Sequence, residues 1–257
     1  MKWGINILLK ENERIDDLEY KNLKIIQNKK GFCFGIDSVL LSDFAKEIKK
    51  DSKVLDLGTG TGIISILLCG KTNLKEIIGV EIQKDVYEMA QRSAKLNQLE
   101  NKFKLLNEDI KNLSKIFPTN SFDAIVTNPP YKKENTGLKN ENKSLEISRH
   151  EVMCSINDIA IISSKLLNNN CSLYMVHRPD RLIDIIEALR KNNLEPKKIR
   201  FVYPKINKAP NLVLIKATKG GKPFLKIENP LIVYKEDGTY TNEILEIYNK
   251  KTNIRKI

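Results

Sequence analysis

Metal and disulfide chemistry are thinly supplied in this chain of 257 residues, which carries 2 histidines, 4 cysteines and 1 tryptophan. Cys33, Cys69, Cys154 and Cys171 stand far apart with no C-x-x-C pair, a pattern that fits free thiols in a reducing compartment better than zinc ligands or a disulfide frame. With only His150 and His177 available, a histidine-based metal site is not expected. No apolar run approaches the ~20 residues that cross a bilayer. Met1 to Lys10 also lacks the apolar stretch of a signal peptide. These absences lead to the expectation of a cytoplasmic protein with no membrane partner and no metal. Internal repeats and dividing linkers are missing too, so residues 1–257 read as one domain, with N-terminal elements at 1–50, a core at 51–217 and a C-terminal segment at 218–257. At 41% hydrophobic, the chain can bury one substantial core, and a monomer is expected.

What the chain does have is a series of polar residues at the ends of apolar runs. Phe122-Asp123-Ala124-Ile125-Val126-Thr127 reads as a buried strand, and Asn128-Pro129-Pro130-Tyr131 closes it. Two adjacent prolines hold φ near −65° and remove two backbone donors, so the turn offers rigid carbonyl acceptors without competing N–H groups. The Asn128 side-chain oxygen and the Pro129 carbonyl can accept both hydrogens of a planar –NH2 group, and Tyr131 offers a ring on which a flat base can stack. The plainer alternative is a proline turn capped by an aromatic.

Upstream, Lys53-Val54-Leu55-Asp56-Leu57 runs into Gly58-Thr59-Gly60-Thr61-Gly62 and then into the helix-like Ile63-Ile64-Ser65-Ile66-Leu67-Leu68. Strand, glycine turn and helix in that order form a nucleotide site, because glycines let a ligand approach the backbone and the helix start presents free N–H groups. Glu76-Ile77-Ile78-Gly79-Val80 reads as a second strand ending at Glu81, roughly 20 residues past the glycines, where a carboxylate can take both ribose hydroxyls. The spacing is G-x-G-x-G, and Asp56 precedes it. A carboxylate there repels a pyrophosphate but suits a cationic or zwitterionic ligand such as the methionine end of S-adenosylmethionine. Phe103-Lys104-Leu105-Leu106-Asn107 is a third strand leading to Glu108-Asp109-Ile110. Asp109 is the candidate for the adenine amino group and Ile110 for packing on the ring, although an Asp after a strand also serves as a turn or helix cap.

Taken together, the stretch Asp56 to Gly62, Glu81, Asp109 and Asn128 to Tyr131 resembles the successive motifs of the Rossmann-fold, S-adenosylmethionine-dependent amino-methyltransferases. Three further stretches look like the bacterial tRNA1(Val) adenine-N6 methyltransferase family: Gly31-Phe32-Cys33-Phe34-Gly35-Ile36-Asp37-Ser38-Val39-Leu40-Leu41, Arg149-His150-Glu151, and Lys216-Ala217-Thr218-Lys219-Gly220-Gly221-Lys222-Pro223. The resemblance implies an α/β, Rossmann-like class I fold with a seven-stranded, mostly parallel sheet, one antiparallel hairpin and a short N-terminal extension. It also implies S-adenosylmethionine as cofactor and tRNA as partner, with N6-methylation of the adenine 3′ of the anticodon (A37) of tRNA1(Val). Catalysis falls to Asn128, Pro129 and Tyr131; cofactor binding falls to Asp56, Gly58, Gly60, Gly62, Glu81, Asp109, Ile110, Asn128 and Phe34. Three alternatives stay open at this point: glutamine-N5 methylation of release factors, methylation of another RNA or DNA amine, and a non-catalytic RNA-binding module.

A net charge of +12 points to an acidic partner, although an AT-rich genome also produces Lys- and Asn-rich chains. Lys132, Lys133, Lys139, Lys143 and Arg149 follow the proline turn, and Lys197, Lys198, Arg200, Lys205, Lys208, Lys216, Lys219 and Lys222 bracket the last strands. Both groups are expected on the substrate side of the sheet, with Tyr131, Lys132, Lys133, Arg149, Lys205, Lys208 and Lys219 as RNA contacts. Arg149-His150-Glu151 reads either as a phosphate- or base-contacting cluster or as an Arg–Glu pair capping the next helix. The remaining pattern predicts short strands within Leu18 to Gln27, a helix capped by Asp37 or Ser38 and running to about Lys49, and helices at about Lys84–Asn97, Ser155–Leu167 and Pro179–Lys191. Strands are expected at Ser172–Val176, Ile199–Tyr203 and Leu212–Lys216, the last two antiparallel.

Overall fold

In the computed structural model, which describes residues 9–29, 35–131 and 154–250, nine strands form one twisted sheet and two more form an N-terminal hairpin. The hairpin pairs β1 (Glu13–Asp17) with β2 (Lys24–Asn28). Five parallel strands make the centre: β3 (Lys53–Leu57), β4 (Glu76–Glu81), β5 (Phe103–Asn107), β6 (Phe122–Thr127) and β7 (Leu167–His177). β8 (Leu194–Tyr203) and β9 (Leu212–Lys219) form the expected antiparallel hairpin, and β9 also pairs antiparallel with β7. The order across these seven is β8-β9-β7-β6-β3-β4-β5, and two short strands, β10 (Lys226–Ile227) and β11 (Leu231–Ile232), add in parallel along β8.

The central strands read as unbroken apolar runs because both faces of the sheet are covered. Successive side chains alternate between two cores. Val54, Ala124, Val126, Tyr174, Val176 and Leu214 join one core with helices α1 (Ile36–Phe44), α2 (Ile63–Lys71) and α3 (Lys84–Leu96). Leu55, Ile125, Leu173, Met175, Val213 and Ile215 join the other with α4 (Leu113–Ile116), α5 (Ile156–Leu166) and α6 (Leu182–Lys191). A short last helix, α7 (Asn242–Ile247), adds Ile244 and Ile247 to the first core.

Several boundaries differ from the sequence expectation. The short strands flank the stretch from Leu18 to Leu23, which turns between them. Helix α1 begins after Gly35, so Asp37 and Ser38 lie inside its first turn instead of capping it, and it ends at Phe44, not Lys49. β7 starts at Leu167, which pairs with Phe122; the register then shifts across Asn168–Cys171, where Asn170 has φ 62°, before Ser172 pairs with Ala124. α5 starts with a capping box in which Ser155 and Asp158 satisfy each other's backbone N–H. No helix among the described residues is long and apolar enough to cross a membrane.

Phe122 is fully buried at the start of β6, edge-on to Phe117 with ring centroids 5.2 Å apart. Phe122→Ala is expected to cost about 3–5 kcal/mol of stability, read as a lowered urea midpoint at unchanged slope.

Candidate active site

Parallel pairing brings the carboxyl ends of β3, β4, β5 and β6 to one edge, where open α/β sheets bind ligands. The register sets Leu57 beside Val80 on one side and beside Thr127 on the other. The Thr127 hydroxyl donates to the Leu57 carbonyl at 2.9 Å in the interior. The glycine turn that follows Leu57 and the proline turn that follows Thr127 therefore start on neighbouring strands.

Gly58, Gly60 and Gly62 all have positive φ, at 70°, 59° and 92°. A Cβ on Gly58 or Gly60 would meet nothing within 4 Å, so both border open space, whereas one on Gly62 would strike the Phe103 ring at 2.8 Å. The first two glycines shape a cradle, and the third allows the turn to pack on β5. Asp56 lies beneath this turn, fully buried, and its Oδ2 accepts the hydroxyls of Thr59 and Ser65, each at 2.7 Å. Its Oδ1 is buried with no hydrogen-bond partner. Burial pushes the Asp56 carboxyl up to about 6, against the two hydroxyl hydrogen bonds, which favour the carboxylate.

Glu81, at the end of β4, accepts the backbone N–H of Gly60 at 3.1 Å on one oxygen and that of Gln83 at 2.9 Å on the other. This places the carboxylate directly beside the glycine cradle. Asp109 stands past β5, where its side chain accepts the N–H of Lys111 at 2.9 Å as the cap of a single turn of 3-10 helix, and Ile110 is buried against the second core. Asp109 thus has the capping role that its position also suggested.

Asn128 and Tyr131 are half-buried, Pro129 is buried and Pro130 is exposed. The Tyr131 hydroxyl lies 2.6 Å from Asn128 Oδ1 and 2.8 Å from Asp37 Oδ2 in α1, and Asn128 Nδ2 lies 3.1 Å from Ser38 Oγ. The Tyr131 ring stands edge-on to His177 at the end of β7, with centroids 5.2 Å apart. Burial pushes His177 down to about 4, so the imidazole is neutral at physiological pH, and it accepts the Arg178 N–H at 2.8 Å. Burial raises the Tyr131 phenol above its usual range, and it stays protonated. In sequence, Asp37 stands as a candidate cap and within the stretch that resembles the tRNA-methyltransferase family, and His177 as one of two histidines; their meeting with Tyr131 spans 94 residues in one case and has no local signal.

The basic residues divide between the two edges. Lys205 and exposed Lys208 follow the carboxyl end of β8, on the same edge as Asn128, and Lys205 donates to the Glu236 carbonyl at 3.0 Å. Lys219 is placed differently from expectation. β9 runs antiparallel, so its last residue lies at the amino edge of the parallel strands, where Lys219 Nζ donates to Asn120 Oδ1 at 2.7 Å and to the Leu167 carbonyl at 2.9 Å. Lys197 and Lys198, early in β8, share that side; Lys198 and Lys216 both pair with Glu47. Phe34, Lys132, Lys133 and Arg149 lie outside the described residues. Among the described residues, no group of histidine, cysteine and carboxylate side chains could hold a metal ion.

Curated relatives include a protein of Haemophilus influenzae, 26% identical over 233 residues, spanning 89% of this chain and 94% of the relative. Another, from Porphyromonas gingivalis, is 26% identical over 242 residues, spanning 90% and 93%. Both carry the name tRNA1(Val) (adenine(37)-N6)-methyltransferase. Among solved structures, one from Agrobacterium tumefaciens described as a predicted O-methyltransferase superposes with a TM-score of 0.67 at 19% identity, covering 83% of this chain and 95% of the other. The 16S rRNA N2 G1207 methyltransferase of T. thermophilus superposes at 0.58 and 17%, covering 82% and 52%. At these identities the two structures share the α/β methyltransferase fold. The family model described as the methyltransferase small domain matches residues 34–178, a span from α1 to the end of β7, and the chain belongs to that methyltransferase family, which implies use of S-adenosylmethionine.

Proposed function

We propose that this protein methylates the exocyclic N6 of an adenine in tRNA, with the adenine 3′ of the anticodon (A37) of tRNA1(Val) as its target. The observation that carries this reading is the Asn128-Pro129-Pro130-Tyr131 turn set on the strand next to the glycine cradle. The names of the curated relatives supply the target.

The cofactor fits the residues present. Two glycines face open space, and a buried carboxylate oxygen on Asp56 lacks a partner that a cationic group would supply. Asp56, Gly58, Gly60 and Gly62 would hold the methionine end, Glu81 the ribose, and Asp109 with Ile110 the adenine. When bound, S-adenosylmethionine supplies an electrophilic methyl group on a cationic sulfur. The remaining work belongs to the protein. An adenine amine is a weak nucleophile because its lone pair is delocalised into the ring. Accepting its hydrogens at Asn128 Oδ1 and the Pro129 carbonyl favours a pyramidal nitrogen and supports the positive charge that grows on it. Alignment of nitrogen, methyl and sulfur contributes the rest, without a strong base. The exposed part of the Tyr131 ring flanks the base, which an anticodon loop can splay out more cheaply than a duplex. Lys205 and Lys208 lie on the edge where the RNA backbone must approach, with Lys132, Lys133 and Arg149 following the catalytic turn in sequence.

Labelled methyl transfer to total tRNA from a strain lacking this gene, followed by nucleoside analysis, tests the reading. N6-methyladenosine is expected with the wild type, and Asn128→Ala should lower the rate about 100-fold or more. Label in release-factor protein instead of tRNA would move the activity to glutamine.

Asp56 generates a pH prediction. Its folded value of about 6 lies above the ~3.9 of an unfolded aspartate, so the native state holds the extra proton and stability falls as pH rises from about 4 through 6. Asp56→Asn should remove that fall, giving a higher melting temperature than wild type at pH 7.5 but no advantage at pH 4. Wild-type affinity for S-adenosylmethionine should weaken as pH drops through about 6, while the variant binds weakly throughout. Calorimetry at both pH values, with cofactor titrations, reads both effects.

A further inference from the structure

The chemistry proposed for Asn128 needs its side-chain oxygen free for an amine, yet the Tyr131 hydroxyl lies 2.6 Å from it. The same hydroxyl lies 2.8 Å from Asp37 Oδ2. It has one proton and can donate to one of them at a time. Asp37 is 8% exposed. Its other oxygen accepts the Ser38 N–H at 2.8 Å. A carboxylate only accepts, and stranding one of its buried oxygens costs more than leaving a neutral amide oxygen without a donor. The Tyr131 proton therefore belongs to Asp37.

With its proton on Asp37, the Tyr131 oxygen presents only lone pairs to Asn128, and two oxygens do not sit 2.6 Å apart without a hydrogen between them. Turning the Asn128 amide by half a turn about Cβ–Cγ exchanges its oxygen and nitrogen. The nitrogen then donates to Tyr131, and the oxygen takes the place 3.1 Å from Ser38 Oγ, where one lone pair can accept the serine hydroxyl and the other stays open. In this state each of the three close contacts, Asp37–Tyr131, Tyr131–Asn128 and Asn128–Ser38, has one donor and one acceptor.

We propose that Asp37 is a positioning residue of the methyl-transfer site: by taking the Tyr131 hydroxyl proton it sets the orientation of the Asn128 amide, and so presents the Asn128 oxygen to the substrate amine. The inference rests on the reading of Asn128 as the amine acceptor. Two neighbours support the geometry. A Cβ on Gly35 would come within 2.9 Å of Asp37 Oδ1, so the glycine leaves room for this carboxylate pose. His177 packs on the Tyr131 ring as a neutral, edge-on contact.

Asp37→Asn keeps the size of the side chain but supplies an amide N–H that can donate to the Tyr131 oxygen, which returns the phenol proton to the Asn128 oxygen. The expected result is a drop in kcat of about tenfold, with unchanged affinity for S-adenosylmethionine and an unchanged melting temperature. In a Tyr131→Phe background the chain is already cut, so Asp37→Asn should have no further effect. Gly35→Ala, which crowds the carboxylate without removing it, should lower kcat in the same direction. Wild-type kcat in Asp37→Asn, or losses from Asp37→Asn and Tyr131→Phe that multiply, would overturn the proposal. Asn128→Ala separates the two levels: if it keeps full activity, the amine-acceptor reading fails; if it is inactive while Asp37→Asn matches wild type, only the role of Asp37 fails.

Discussion

The parallel pairing of β3 with β6 is the constraint on which the site depends. Its register puts Leu57 opposite Thr127, and the buried hydrogen bond from Thr127 to the Leu57 carbonyl locks the last residues of the two strands together. Strands in a sheet stand about 4.8 Å apart, so the turns that follow, one of glycines and one of prolines, open side by side. A slip of one residue would turn every side chain of β6 to the opposite face, sending Ala124 and Val126 into the wrong core and carrying Asn128 away from the cradle.

Around that pairing, each part of the candidate site rests on a buried polar group held by short hydrogen bonds. Asp56 ties the glycine turn to the start of α2 through Thr59 and Ser65. Glu81 ties the same turn to the end of β4. On the neighbouring strand, Tyr131 links the proline turn to α1. The two halves differ in kind. Asp56 is buried with one oxygen unpaired and a raised pKa, which disfavours the folded state at neutral pH and is relieved by a cationic ligand. In the Asp37, Tyr131, Asn128 and Ser38 chain, each close contact can pair one donor with one acceptor from within. In the proposed function, ligand binding at the cradle and orientation at the amine acceptor are thus separate physical problems placed on adjacent strands.

Much of this was legible in the sequence. The central strands bury both faces, so their apolar runs marked them, and the residues closing those runs fall on one edge because the strands are parallel. What sequence could not show follows from tertiary geometry. β7 was expected to start at Ser172, yet it begins at Leu167, ahead of an irregular Asn168–Cys171 stretch. β10 and β11 are two residues each and exist only because the edge of β8 was free. Lys219 seemed to belong with Lys205 on the substrate side, but the reversed direction of β9 carries it to the opposite edge. Asp37 offered a local role as a helix cap, and its contact with Tyr131 joins elements on opposite sides of the glycine turn in sequence.

The most direct test of the account is a structure of the protein with S-adenosylhomocysteine and an adenine-containing anticodon stem-loop. The account predicts the exocyclic nitrogen of one splayed adenine within hydrogen-bonding distance of Asn128 Oδ1 and the Pro129 carbonyl, with the sulfur in line beyond it over Gly58 and Gly60. An adenine bound away from the proline turn, or a cofactor lying outside the glycine cradle, would contradict it.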